Sequence, residues 1–272
     1  MLNSNIVKPC LRWAGGKSWL IKYLGTLLPQ NGFNNYHEPF IGGAAGFLSI
    51  KPANISYLSD LNQELIDTYI TLRDEPNNII EILSTYKNDK ESYYQVRSSR
   101  PETEVERAAR FIYLNQTSYN GIYRVNLKGE YNVPYGYRDK PFLDKQALLQ
   151  VSEALKGAII QHGDFEIIRE NLRQGDLVFL DPPYTVSHND NGFIKYNQKI
   201  FSLEDQMRLS QIIQYIKRIG AYYILTNAAH RTIEEIFDNG DERLELGRAS
   251  LIGGINARRG QTTEYVFTNI IR

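Results

Sequence analysis

Apolar positions in this chain fall alternately into short unbroken runs and into stretches with helical spacing. The run Leu177-Val178-Phe179-Leu180 is entered from Gly175-Asp176 and stopped by Pro182-Pro183. Four apolar residues between turn signals predict a buried strand, and two prolines with no N–H to give a sheet end it abruptly. Further strands are expected from Tyr36, over 55–59, over 158–164 and over 222–226, with Thr263-Glu264-Tyr265-Val266-Phe267 as an antiparallel edge strand. Helical patterns cover 47–50, 65–72, 78–86, 104–114 and 165–172. A longer one runs to Arg218; Ser202 caps it, with Asp205 three residues on, close to a capping box. The polar stretch from Tyr184 to about Lys199 is too irregular for a packed element and reads as a loop beside a site.

Strands and helices alternate over residues 1–65 and again over 151–272, which predicts one α/β sheet domain. Residues 66–150 read as an insertion: helices, then a polar and aromatic segment from Asn115 to Pro134. Asn120-Gly121 and Lys128-Gly129 are turn signals there, so a β-hairpin is expected. Its Asn, Arg, Lys and Tyr side chains are types that reach base edges and phosphates, and a plain surface hairpin would use them too.

Composition narrows the function without naming it. Of 272 residues, 42% are apolar, enough for a sizeable core. Lys plus Arg and Asp plus Glu number 31 each, so any surface for a polyanion comes from local clustering. Cys10 is the only cysteine, which excludes disulfide frameworks and multi-cysteine zinc sites; it reads as a small buried side chain. His37, His162, His188 and His230 lack ligand spacing, so no metal site is expected. No stretch is apolar enough for a membrane span and no signal peptide opens the chain, so a cytoplasmic protein is expected.

The candidate chemistry lies at strand ends. The strand from Tyr36 leads through Phe40 into Ile41-Gly42-Gly43-Ala44-Ala45-Gly46 and a helix, the usual opening of a nucleotide-binding sheet. Asp60 closes the next strand, where an acid typically binds a ribose hydroxyl pair. Gly15-Gly16-Lys17-Ser18 is not a triphosphate loop, because position 11 is Leu where that motif needs Gly. Asp181-Pro182-Pro183-Tyr184 leaves a carboxylate, a stiff backbone with free carbonyls and an aromatic ring at a strand end. That set suits a planar amino group: the carboxylate and a carbonyl accept its two hydrogens while Tyr184 stacks on the ring bearing it. An ordinary surface turn carries the same four letters, so the tetrapeptide alone leaves both readings open.

Five ordered boxes between about Lys8 and Asn269 together resemble the Dam-type (D12 class) DNA adenine-N6 methyltransferases. Lys8-Pro9-Cys10-Leu11-Arg12-Trp13-Ala14-Gly15-Gly16-Lys17 is similar to their opening box. Glu38-Pro39-Phe40-Ile41-Gly42 is similar to their cofactor loop, with Ala44 where many relatives carry a second glycine. Asp181-Pro182-Pro183-Tyr184 is their catalytic tetrapeptide, and Phe193, Tyr196 and Phe201 repeat the spaced aromatics that follow it. The segments 120–126 and 132–136 resemble their target-recognition hairpin, with Ile122 where Leu is common.

The resemblance implies a Rossmann-like S-adenosylmethionine-dependent methyltransferase sheet, with a mostly helical target-recognition domain carrying the hairpin inserted at 66–150. It implies S-adenosylmethionine as cofactor, with Trp13 and Lys17 on its methionine part, Asp60 on the ribose, Phe40 and Gly42 lining it, and Asp164 and Phe165 near its adenine. Asp181, which also borders the cofactor, Pro182 and Tyr184 are then catalytic, acting on N6 of an adenine flipped out of duplex DNA. Tyr119, Asn120, Ile122, Arg124, Asn126 and Pro134 are the DNA-contacting residues, with GATC or a site containing it as target. Arg258 and Arg259 are candidate phosphate contacts, with a solvated turn an equal reading. Double-stranded DNA is the partner, alongside a cognate restriction endonuclease acting on the same site without a stable complex. The same tetrapeptide serves enzymes acting on cytosine N4, RNA bases or protein glutamine, and a non-catalytic DNA-binding relative would keep the fold.

Overall fold

The computed structural model describes residues 7–13, 15–126, 128–185, 201–249 and 261–270. Among these, seven strands form one sheet: β1 (Tyr36–Glu38), β2 (Ser56–Asp60), β3 (Ile159–His162), β4 (Leu177–Leu180), β5 (Tyr222–Ala228), β6 (Glu242–Ala249) and β7 (Gln261–Thr268). Their order is β3-β2-β1-β4-β5-β7-β6. β4 lies parallel to β1, with Val178 opposite His37, and parallel to β5, with Leu180 opposite Leu225. Every residue of β1 and β4 is buried, as expected for parallel strands covered on both faces.

Two expectations are corrected. β7 is antiparallel but is not the edge, because β6 pairs along it from Glu242 to Ala249. Over residues 242–247 of the outermost strand, Glu242, Arg243 and Glu245 face solvent and Leu244 and Leu246 are half-buried. Charge on a sheet edge discourages pairing with another chain. The second correction concerns residues 115–117, which belong to the helix Glu104–Thr117 and not to the hairpin. Asn115 and Thr117 are buried, and the Thr117 hydroxyl donates to the Tyr113 carbonyl one turn back.

By internal packing the chain divides into two compact units: residues 1–18, 41–51 and 58–163, and residues 19–40, 52–57 and 164–272. In the first, the helices Gln63–Asp74, Pro76–Thr85, Glu104–Thr117 and Lys145–Leu155 pack on one another. Leu65, Tyr69 and Leu72 bury the inner stripe of one helix, and Ala108, Ala109 and Ile112 that of another. Thr103 and Glu106 form a reciprocal capping box that sets where the second begins.

In the second unit, the helix Leu203–Ile219 lays Leu209, Ile212, Ile213 and Ile216 against β4 and β5 residues, including Leu180, Tyr223 and Leu225. Each such burial contributes roughly 1.5–3 kcal/mol relative to exposure. The capping box expected at Ser202 is present: its hydroxyl accepts from the Asp205 amide (3.1 Å) while the Asp205 carboxylate takes the Ser202 amide (2.8 Å). Gly220, at φ 79°, closes the far end in the left-handed conformation that glycine adopts without strain. The expected loop after Thr185, with Phe193, Tyr196 and His188, lies outside the described residues, as do Arg258 and Arg259.

Candidate active site

β1 and β4 are neighbours, but the chain leaves β1 for β2 and β4 for β5, on opposite sides. Open α/β sheets bind ligands outside the carboxyl ends of their strands at such a reversal. Asp181 follows directly on β4 there, and its Oδ1 accepts the Thr226 hydroxyl from β5 at 2.8 Å. Pro182 is buried, and half-buried Tyr184 donates its hydroxyl to Glu264 Oε2 on β7 at 2.5 Å. The next residue, Thr185, is pinned by fully buried groups. Its hydroxyl donates to the Phe201 carbonyl (3.0 Å) and accepts from Gln206 Nε2 (2.9 Å), while Asn227 Nδ2 donates to Gln206 Oε1 (3.1 Å). The tetrapeptide is therefore fixed from β5, β7 and the 203–219 helix.

At the end of β1, the buried Tyr36 hydroxyl donates to Glu38 Oε2 at 2.8 Å. Burial holds the Tyr36 phenol well above its ordinary range, and the negative charges of Glu38 and Asp181 push it further. Phe40 stacks on Phe165 (centroids 5.5 Å apart) and meets Phe201 edge-on (5.6 Å). Beside this cluster, Asp164 Oδ1 accepts from the Glu166 amide at 3.0 Å and pairs with Arg208 at 2.9 Å. Arg208 also bridges to Glu166 and Asp205, and its guanidinium lies 4.8 Å from the centre of the Phe165 ring. The predicted residues Phe40, Asp164 and Phe165 thus form one group with Arg208.

The first unit gathers Trp13, Lys17, Gly42 and Asp60. A Cβ at Gly42 would lie 2.8 Å from two atoms of the Trp13 indole, and φ there is +43°, so only glycine lets the loop meet that ring. The Gly42 amide donates to Asp60 Oδ2 (3.1 Å), and the Asn62 amide to Oδ1 (3.0 Å). Burial raises the Asp60 carboxyl above its ordinary range, against the lowering effect of the Asn62, Gly42 and Leu61 amides. Each carboxylate oxygen has a second lone pair, so this pre-set acid suits a vicinal diol. Lys17 is buried, and its ammonium donates to the Gly15 carbonyl at 2.8 Å, which places a positive charge over the glycine turn. A small ligand carrying a carboxylate and a ribose fits this set. Ala44 stands at φ 59°, a left-handed conformation that suits glycine better.

The hairpin turns at 126–130 and its arms meet at the Val125–Tyr131 bridge. Asn120 (φ 55°) and Gly121 (φ 64°) make the elbow that joins it to the 104–117 helix. Tyr119 is 51% exposed, and Asn120 and Pro134 also face solvent. Asn132 Oδ1 holds Arg124 Nε at 2.7 Å, orienting an exposed guanidinium fork. Asn126 is occupied within the turn: its Oδ1 accepts the Lys128 and Glu130 amides, and its Nδ2 donates to Glu130. Ile122 is half-buried, with its carbonyl held by the Tyr131 hydroxyl at 2.8 Å. Tyr123 stacks on Trp13, tying the hairpin to the N-terminal box.

Thr226, Glu264 and Arg208 were not singled out in the sequence. The available signal for Glu264 was a lone acid inside the apolar strand Tyr265-Val266-Phe267, since a buried carboxylate needs a partner. Among the described residues no cluster of His, Cys, Asp and Glu is arranged for a metal ion, and no helix is long and apolar enough to cross a membrane.

A carboxylate, a carbonyl and an aromatic ring at the carboxyl end of the parallel strand β4, where the strand order reverses, fit an enzyme of the open α/β class. Comparison with known proteins makes this specific. The family model for D12 class N6 adenine-specific DNA methyltransferase matches residues 13–250. The chain is 36% identical over 275 residues to the type II methyltransferase M1.LlaDCHI of Lactococcus lactis, covering 97% of this chain and 95% of that one. It is 36% identical over 244 residues to M.MjaIII of Methanocaldococcus jannaschii, covering 82% and 84%. With the DNA adenine methylase of Escherichia coli K12 it shares 30% over 210 residues, covering 75% and 74%. The chain belongs to the D12 class N6 adenine-specific DNA methyltransferase family. Its reaction is methylation of DNA adenine at N6.

Proposed function

We propose that the enzyme transfers the methyl group of S-adenosylmethionine to an adenine flipped out of duplex DNA, within GATC or a longer site containing it. The observation that carries this reading is the tetrapeptide 181–184 at the carboxyl end of buried β4, beside β1, with Asp181 bonded to Thr226 of β5 and Tyr184 to Glu264 of β7. S-adenosylmethionine supplies a methyl group on a positively charged sulfur. Lys17 pairs with its carboxylate, Trp13 packs on its methionine part, Gly42 lines it and Asp60 binds its ribose hydroxyls. Phe40 and Phe165 border its adenine, with Asp164 held in place by Arg208.

Adenine N6 is enclosed in the duplex, so the base leaves the stack before reaction. Tyr184 stacks on it, and Asp181 and the Pro182 carbonyl accept the two N6 hydrogens. Two acceptors draw the amino group toward a tetrahedral form and localise a lone pair otherwise spread into the ring. A bound donor would supply its methyl carbon to this lone pair, the electron pair of the carbon–sulfur bond remaining on sulfur. The extra proton on N6 then passes to Asp181 or to solvent.

Residues 66–150 act as the target-recognition part of this enzyme, and 1–65 with 151–272 as the catalytic part. Tyr119, Asn120, Ile122, Arg124 and Pro134 read the site from the hairpin, whose tip Asn126 keeps in shape. Two of the relatives above are named type II methyltransferases, which supports a role beside a restriction endonuclease cutting the same sequence.

The test is incubation with S-adenosylmethionine and unmethylated genomic DNA, followed by mapping of modified bases by single-molecule sequencing. N6-methyladenine confined to one motif containing GATC is the expected result. Methylation at an unrelated motif overturns the specificity, and unmodified DNA with a protein that binds the cofactor overturns the reading as a whole.

A further inference from the structure

We infer that Glu264 is a positioning residue for methyl transfer, fixing through its hydrogen bond the Tyr184 ring that stacks on the target adenine. The inference rests on the role given to Tyr184 above. Glu264 is fully buried in β7, opposite Ala228 of β5, and Tyr265, Val266 and Phe267 beside it are buried as well. A carboxylate in such a strand is costly unless a partner takes it up, and the Tyr184 hydroxyl does so at 2.5 Å from 80 residues away in the chain. On the adjoining strand β5, Thr226 holds Asp181. Antiparallel neighbours thus reach the two ends of one tetrapeptide, the first holding its hydrogen acceptor and the second its stacking ring.

A tyrosine anchored only at its backbone can swing about its side-chain torsions. A hydrogen bond to its far end, made stronger by a charged acceptor, fixes the plane of the ring while leaving its face for the base. It also pulls phenolic proton density toward Glu264 and enriches the ring face in electrons. During transfer N6 becomes cationic as its lone pair goes to the methyl carbon, and an electron-rich face opposite that charge favours the transition state over the bound substrate. Glu264 itself takes no proton and forms no bond in the step.

The test compares Glu264→Gln, Tyr184→Phe, the double variant and Tyr184→Ala in single-turnover methylation of an oligonucleotide duplex. Affinities for cofactor and DNA are measured alongside. Glu264→Gln keeps size and an acceptor but removes the charge. It should slow the transfer about tenfold, the effect of weakening a hydrogen bond to a charged group, and leave both affinities unchanged. The double variant should be no slower than Tyr184→Phe, because without the phenol hydroxyl the charge at position 264 has no bond left to strengthen. With 2-aminopurine in place of the target adenine, Glu264→Gln should show brighter emission, as a ring that no longer holds still quenches less.

A wild-type rate in Glu264→Gln overturns the inference, as does a double variant slower than Tyr184→Phe by the full single-mutant factor. Should Glu264→Gln not fold, Tyr184→Phe decides, and a wild-type rate there overturns the inference. If Tyr184→Ala transfers at the wild-type rate, the stacking role itself falls. If Tyr184→Ala is inactive while Glu264→Gln is unimpaired, only the role of Glu264 falls.

Discussion

The Thr226 hydroxyl lies 2.8 Å from Asp181 Oδ1, donated across from β5 to the residue that ends β4. Thr226 is fully buried, so this bond has little competition from water. It selects one orientation of the carboxylate before substrate arrives. Thr226→Val keeps the shape and removes the donor. It should lower kcat by roughly tenfold, the effect of losing about 1–1.5 kcal/mol of hydrogen bonding, with thermal stability changed little. Steady-state kinetics with a melting curve checks this; an unaltered kcat would remove Thr226 from the positioning set.

Gly136 supports the base of the hairpin by lacking a side chain. A Cβ there would lie 2.5 Å from the Ser118 carbonyl oxygen and 2.9 Å from the Tyr119 amide nitrogen. Both are backbone atoms of the elbow leading to Asn120, and neither can turn aside. Gly136→Ala should cost about 1–3 kcal/mol through this overpacking and weaken sequence-selective DNA binding more than cofactor binding. Titration of cognate and scrambled duplexes, with cofactor calorimetry as reference, separates the two effects.

Arg124 is predicted to read a guanine. Asn132 takes Nε with its side chain and Nη2 with its carbonyl (3.4 Å), which sets the guanidinium to present Nη1 and the other Nη2 hydrogen as a fork. Arg124→Ala should lose roughly 1–3 kcal/mol of discrimination at one base pair and flatten the preference there. Methylation rates on single-substituted duplexes test this. An unchanged profile would assign the reading to another side chain.

On the proposed function, Asp60 is predicted to make cofactor binding sensitive to acid. Burial holds its carboxyl above the ordinary range, so it takes up a proton at a higher pH than the value of about 3.9 for an exposed aspartate. A protonated Asp60 accepts ribose hydroxyls less well, so cofactor affinity should fall on acidification before the protein unfolds. Asp60→Asn should bind weakly throughout and lose that dependence. Calorimetry across the mildly acidic range distinguishes this from general acid unfolding.

A second aspartate governs stability in the opposite sense. Asp176 is buried at the entry to β4, where burial alone would raise its carboxyl. His37 and the amides of Asn35 and Arg173 outweigh that and hold it below the ordinary range. A carboxyl lowered by folding contributes its full stability above the unfolded value, about 3.9, and loses it as pH falls through the folded value. Asp176→Asn should therefore destabilise by roughly 3 kcal/mol near neutral pH, with the gap from wild type closing only below about pH 4. Denaturant melts at several pH values check both parts, and a gap that closes well above pH 5 contradicts the assignment (roughly one unit over the reference value).

The parts of the fold that were legible carry strong local signals. Four apolar residues before two prolines located β4, and Ser202 with Asp205 located the longest helix of the second unit. β6 escaped because only Leu244 and Leu246 interrupt its polar run, a pattern that fits an exposed edge as well as a loop. The helices Lys90–Ser98 and Arg231–Phe237 each bury just two side chains and leave little periodicity to find. Asn115 and Thr117 look like loop residues yet lie in a helix core, where Asn115 exchanges hydrogen bonds with the backbone of Arg12. At the site, Asp181 and Tyr184 stood out from their immediate neighbours. Thr226 and Glu264 lie 45 and 80 residues further on and reach them only through strand register, which no local pattern encodes.

The crowding of negative charge at the ends of β1 and β4 bears on turnover. Glu38 and Asp181 both act on the buried Tyr36 phenol, so their fields overlap where the two strands stop. On the proposed function, such a field would hold a cationic methyl donor more strongly than the neutral thioether left after transfer. The same two carboxylates that favour loading would loosen the spent donor once its charge is gone, and so work against product inhibition.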